Sequence, residues 1–118
     1  MSGHVSWVIE VAVKPGELDN FRGLIKEMIE STRSESGTLM YEWSISEDGS
    51  VVHGYERFTD SEAAVAHLSA FAEKFAKRFL AAVDPTRLSV YGTPSDDARG
   101  TLAALGPAYL AALGGFSR

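Results

Sequence analysis

The sequence predicts an α+β fold of the ferredoxin-like kind, with element order βαββαβ, and three observations predict it. Residues 4–13, HVSWVIEVAV, alternate strictly, with Val5, Trp7, Ile9, Val11 and Val13 on one side, the period of a half-buried strand. From Leu18 the period changes, and Leu18, Phe21, Leu24, Ile25, Met28 and Ile29 recur at three and four, as on an amphipathic helix. Two stretches rich in aromatic and β-branched residues, 38–45 and 51–58, flank Asp48-Gly49, a strong hairpin signal. Such an order forms a four-stranded antiparallel sheet with both helices on one face.

The elements follow in sequence. KPGE punctuates the first strand at 14–17, and the first helix runs to about Ser34, where Ser36-Gly37 ends it. A two-residue hairpin loop sets Tyr41 opposite Glu56. Leu39, Tyr41, Trp43 and Ile45 then share a face with Val52, Gly54, Glu56 and Phe58, in a register that a longer loop would shift. Thr59 and Glu62 read as a capping box for a second helix reaching about Ala82, with a break near Ser69. Val83-Asp84-Pro85 stops that helix, and 87–92, RLSVYG, form the fourth strand. Residues 1–93 thus make up the fold. Residues 94–118 are expected to be a kinked or paired apolar helical tail, packed on the same domain or on a dimer partner. LAAL occurs twice in it around Gly106-Pro107.

Composition narrows the function. The chain has 118 residues, 45% apolar and 23% charged, with a net charge of −5, as expected of one small globular domain. The cations form no run, which argues against nucleic acid as a partner. Absence of cysteine removes disulfides, thiolate nucleophiles and Cys-ligated metals. His4 and His53 have no HxH, HxxxH or HxxE spacing, so no metal is expected. No stretch approaches the ~20 apolar residues of a membrane span, and the N-terminus lacks the layout of a signal peptide. The expectation is a soluble cytoplasmic domain.

Two helices on one sheet face leave the other bare. That face carries Val8, Ala12, Met40 and Tyr55 beside Glu10, Glu42, His53 and Arg57. A half-apolar, half-charged face suits pairing with a second copy, so a homodimer is expected.

VKPG at 13–16, SESGTLMYEW at 34–43, YERFTDSEAAVAHL at 55–68 and VYG at 90–92 together resemble the antibiotic biosynthesis monooxygenase family over about residues 4–92. The resemblance implies a dimeric α+β barrel. It also implies oxygenases that need neither flavin nor metal and act on quinol-like or polyketide aromatics, although the family includes haem-degrading and isomerase members. The haem-degrading branch relies on an asparagine in the first strand and a tryptophan ending the third. Ile9 and Phe58 stand there in this chain, which argues against haem degradation.

Two ionisable residues stand out. His67 shares a helix face with Ala64, Phe71 and Phe75. Its plain reading is a neutral imidazole bonded at the helix–sheet boundary. The resemblance implies instead a pocket histidine that deprotonates or hydrogen-bonds a substrate hydroxyl. Glu56 falls among Tyr41, Trp43 and Phe58, where a carboxylate must be paired or have a raised pKa. It is a second proton acceptor, a carboxylate that orients His67 if close enough, or a salt-bridge partner of Arg57, Arg22 or a neighbouring subunit. Trp7, Tyr41, Trp43, Phe58, Phe71 and Phe75, with Phe79, supply a wall on which a flat substrate stacks. No dinucleotide, phosphate-loop or nucleophile-elbow motif is present. The leading expectation is therefore a cofactor-free monooxygenase, and the alternative is a non-enzymatic small-ligand binding module. An isomerase ranks third, because it wants more charged pocket residues than His67 and Glu56.

Overall fold

A computed structural model of the protein describes residues 3–118. Its elements run β1 (Val5–Val13), α1 (Leu18–Arg33), β2 (Thr38–Ile45), β3 (Val51–Phe58), α2 (Ser61–Lys74), α3 (Ala76–Ala82), β4 (Val83–Gly92), α4 (Asp96–Leu102), a 3-10 turn (Ala103–Leu105) and β5 (Ala108–Leu110). The strands form one sheet in the order β2-β3-β1-β4-β5. The first four pair antiparallel, and β5 joins parallel to β4. The ferredoxin-like fold is as the sequence predicts, with an additional edge strand and an open, unclosed sheet.

The alternation of β1 is what anchors the sheet. Val5, Trp7, Ile9 and Val11 are buried while their neighbours are only partly covered, and each such aliphatic side chain contributes roughly 1.5–3 kcal/mol. α1 lays Phe21, Leu24 and Met28 onto this face. The hairpin adopts the expected register, with Tyr41 opposite Glu56 and Trp43 opposite Gly54. A register shift between Thr38 and Met40 breaks the predicted face, and Leu39 is exposed rather than packed inward, as a bulge allows.

Several boundaries differ from the sequence reading. Asp60, not Thr59, caps α2: its carboxylate accepts from the Ala63 N–H at 2.8 Å. The Thr59 N–H instead donates to the Gly37 carbonyl at 2.9 Å. The helix breaks at Phe75 rather than near Ser69. Val83-Asp84-Pro85 does not merely stop the helix but opens β4, and Pro85 lies opposite Val11, where the β1–β4 register shifts. A bulge tolerates the missing proline N–H there.

The tail corrects the expectation most. Only Asp96–Leu102 is α-helical, and Tyr109 and Leu110 belong to β5 rather than to a helix. Ser95 caps α4 by accepting from the Ala98 N–H, while its own N–H donates to the Ser61 hydroxyl at 2.9 Å. Ala98 and Leu102 are fully buried, and the Arg99 guanidinium lies 3.8 Å from the centre of the Tyr109 ring. The segment is thereby fixed against α2 and β4. No helix is long and apolar enough to cross a membrane among the described residues.

Candidate functional site

Strand parity selects which side chains face the helices. On β3, Val52, Gly54, Glu56 and Phe58 are buried and point toward them. On β2, Tyr41 and Trp43 point the same way and are half-buried. Gly54 is needed for this arrangement, because a Cβ there would lie 2.7 Å from ring carbons of Trp43. The indole therefore lies against bare backbone. From above, α2 buries Ala64 and, one turn later, His67.

Glu56 is thus an inward carboxylate on an apolar face, and it needs a partner. Neither Arg57 nor Arg22 supplies one. The Arg57 guanidinium donates to His4 Nδ1 at 2.9 Å on the outer face. The partner of Glu56 is His67, whose Nε2 lies 3.0 Å from Glu56 Oε1, with both side chains no more than 7% exposed. The other ring nitrogen, Nδ1, lies 2.8 Å from Glu35 Oε1. Glu35 also accepts from the Thr38 hydroxyl at 2.9 Å.

An imidazole between two carboxylates cannot satisfy both when neutral, because one nitrogen then presents a lone pair to an oxygen lone pair. Burial works against a charge on His67, but the hydrogen bonds and charges of Glu56 and Glu35 outweigh it and hold the pKa above its ordinary value. That direction favours the protonated ring. Burial, followed by the negative charge of Glu56, pushes the Tyr41 hydroxyl far above its usual range, so it stays protonated.

Glu56, His67 and Tyr41 lie on the wall of a cavity of about 230 Å³. Of the residues singled out in the sequence, Trp7, Tyr41, Trp43, Glu56, His67 and Phe71 line it. Phe58 and Phe75 do not. Phe58 is fully buried behind it, with its ring centre 4.7 Å from that of Trp7 and 5.2 Å from that of His67. Phe75 packs at the α2–α3 break. Phe79 also lines it, and so do Ile9, Met28, Leu68, Ala72, Ala76, Leu80, Pro85, Leu88, Thr101, Leu102 and Leu105. The only ionisable groups on this wall are therefore Glu56, His67 and Tyr41. Among the described residues no group of three or more His, Asp or Glu side chains is arranged to hold a metal ion. Glu35 and Glu56 meet opposite edges of one ring instead of converging on a point.

Sequence reasoning missed Glu35 and the tail residues Thr101, Leu102 and Leu105. Glu35 stands in a polar turn, and nothing local distinguishes it from its neighbours. Gly37 carried the available signal. A Cβ on it would fall 2.5 Å from that of Ala63, so this glycine brings the turn against α2. On the outer face, Glu10 and His53 pair at 2.9 Å, outside the cavity.

A sequence model described as antibiotic biosynthesis monooxygenase matches residues 5–72. The chain belongs to that family. Membership supports a general monooxygenase-type role and specifies no substrate. The match ends within α2, so the cavity residues of α3, β4 and the tail lie beyond it. Among solved structures, MupZ from Pseudomonas fluorescens is similar over 100% of this chain and 91% of its own, with 27% identity and a TM-score of 0.90. The tail is thus included in that likeness. SnoaB from Streptomyces nogalater, a cofactor-independent oxygenase solved as its N63A mutant, is 14% identical over 80% of this chain and 96% of its own, with a TM-score of 0.68. Protein SO0527 from Shewanella oneidensis is 23% identical over 77% of this chain and 91% of its own, also at 0.68. These last two likenesses concern the fold. No curated protein sequence is a significant match to the chain.

Proposed function

We propose that the cavity oxidises a phenolic or quinol-type aromatic, such as a polyketide ring, with O₂ and without a flavin or metal. The observation that carries this reading is the Glu56–His67 pair on the wall of an otherwise apolar cavity. His67 is bonded at both nitrogens and offers no free lone pair. Glu56 is therefore the base, and the imidazolium holds it in place.

The chemistry balances without a further reagent. Glu56 takes the hydroxyl proton of the substrate, and the electron-rich phenolate passes one electron to O₂. The radical pair joins as a ring peroxide, to which Glu56 returns the proton. Loss of water, formed from the terminal OH and the ring C–H proton, leaves a carbonyl. One oxygen atom enters the product and the other leaves as water. The apolar wall suits O₂, and the exclusion of bulk water strengthens the charges inside. Trp7, Tyr41, Trp43 and Phe71 stack on the ring, and Phe58 and Phe75 support them from behind.

One observation favours a second reading. Glu35 adds a third ionisable side chain to the two that the sequence offered, and a Glu–His–Glu set also suits proton transfer without O₂, as in an isomerase. Oxygen uptake with a panel of hydroquinones and polyphenols, in the presence of chelator, tests the choice for wild type and Glu56→Gln. Uptake that collapses in Glu56→Gln supports the oxygenase. Deuterium exchange into a bound ligand without uptake selects the proton-transfer reading. Binding with neither activity selects a non-enzymatic module.

The same reading has the protein act as a homodimer through its open sheet face, where Tyr55 and Tyr91 are each 41% exposed. Sedimentation of wild type and Tyr55→Glu checks this, and a monomeric wild type would refute it.

A further inference from the structure

Glu35 is assigned no role by the proposed reaction, yet its placement is specific. It lies on the turn between α1 and β2, and three contacts hold that turn. Thr38 donates its hydroxyl to Glu35 Oε1, the Gly37 carbonyl accepts from Thr59 N–H, and the absence of a Cβ at Gly37 allows Ala63 of α2 to approach. The result is a carboxylate oxygen 2.8 Å from Nδ1 of His67, on the ring edge opposite Glu56. Its side chain is 23% exposed, whereas those of His67 and Glu56 are 6% and 7% exposed.

We propose that Glu35 is a positioning residue: as the second carboxylate on the His67 ring, it keeps that ring as the imidazolium that holds Glu56 in place. This rests on the proposed acid–base role of Glu56. A buried carboxylate beside a neutral ring has no opposite charge to compensate it. A second carboxylate on the far edge of the ring supplies the charge that makes the imidazolium the stable form. Glu35 can do so cheaply because it retains contact with water and is not itself desolvated to the same degree. The groups facing the ring are Glu35 from the α1–β2 turn, Glu56 from β3 and Tyr41 from β2, whose ring centre lies 5.4 Å away. Tyr41 stays neutral, so the two carboxylates decide the charge. The burial of His67 opposes that charge, the two carboxylates favour it, and the net direction for His67 is upward.

The test is nitrogen NMR of the His67 ring in substrate-free protein, with the signal assigned by His67→Gln. Wild type is expected to carry a proton on both ring nitrogens at neutral pH. Glu35→Gln keeps an oxygen that can accept from Nδ1 but loses the charge, and its ring is expected to titrate about one pH unit lower or more. Glu35→Asp keeps the charge and is expected to restore most of the difference. The alkaline limb of the activity profile should move down in Glu35→Gln and return in Glu35→Asp. A neutral ring in wild type at neutral pH overturns the proposal, whether or not the variants fold. So does a Glu35→Gln ring that titrates where wild type does. Because the titration is read without substrate, failure of the proposed oxidation would leave it standing as a measurement.

Discussion

Glu56 of β3 and His67 of α2 meet across the seam between sheet and helices, Oε1 to Nε2 at 3.0 Å, and both are buried. Glu56 depends on this contact, since an uncompensated buried charge costs several kcal/mol, whereas His67 also has Glu35 on its other edge. Their contact therefore serves both the fold and the proposed chemistry, and substitutions can separate the two.

His67→Leu is expected to destabilise the protein by roughly 3–5 kcal/mol, because it strands the Glu56 carboxylate. Adding Glu56→Leu should recover a large part of that loss, making the pair strongly non-additive. Urea unfolding of both single variants and the double variant measures this. Additive losses would mean that the two side chains are not coupled.

Stability should depend on pH through His67. Its pKa in the folded protein is raised above the ordinary value by the Glu56 and Glu35 carboxylates against burial. The contribution of the ring is then fully present below the unfolded pKa of about 6.5. It is lost as pH rises through the higher folded value. Unfolding free energy of wild type should decline as pH rises between those two values, and the decline should be absent in His67→Gln. A flat wild-type curve would remove the imidazolium.

Leu102 is fully buried and lines the cavity from α4. Leu102→Ala is expected to cost about 2–5 kcal/mol and to enlarge the cavity. Leu105→Trp, at the exposed rim, should leave stability nearly unchanged while raising KM for larger substrates more than it lowers kcat. Thermal unfolding and steady-state kinetics on substrates of increasing length check both. Equal KM values across that series would place binding elsewhere.

Gly54→Ala sets a methyl group 2.7 Å from the Trp43 ring, and overpacking of this kind costs about 1–3 kcal/mol. The indole must move, so tryptophan emission should change together with ligand affinity. An unaltered spectrum with wild-type stability would mean that Trp43 is free to shift without consequence.

Much of the fold was legible in the residues. The period of two at Val5–Val13, the helical spacing from Leu18 to Ile29 and the Asp48-Gly49 turn are local patterns, and local patterns carry strand parity. Parity alone sets Tyr41, Trp43 and Glu56 on the inward face. The end of α2 was less legible, because the break falls at Phe75 within an unbroken helix-forming stretch and follows from packing rather than from a glycine or proline. Nor did the LAAL pairs of the tail reveal that only the first of them is helical, since a three-residue edge strand depends on β4 being there to pair with it.

The sequence by itself determined the βαββαβ order up to β4, the inward faces of β1 and β3 and the presence of a histidine and a glutamate on the two surfaces that form the core. Tertiary structure alone decided that these two side chains touch, that Glu35 reaches the other side of the same ring, and that Leu102 and Leu105 come from the tail to line the cavity. Periodicity records which way a side chain points from its own element. The distance between two elements depends on loop path, on close approaches such as that of Gly37 to Ala63, and on packing across the sheet, none of which is written in the spacing of residues along one segment.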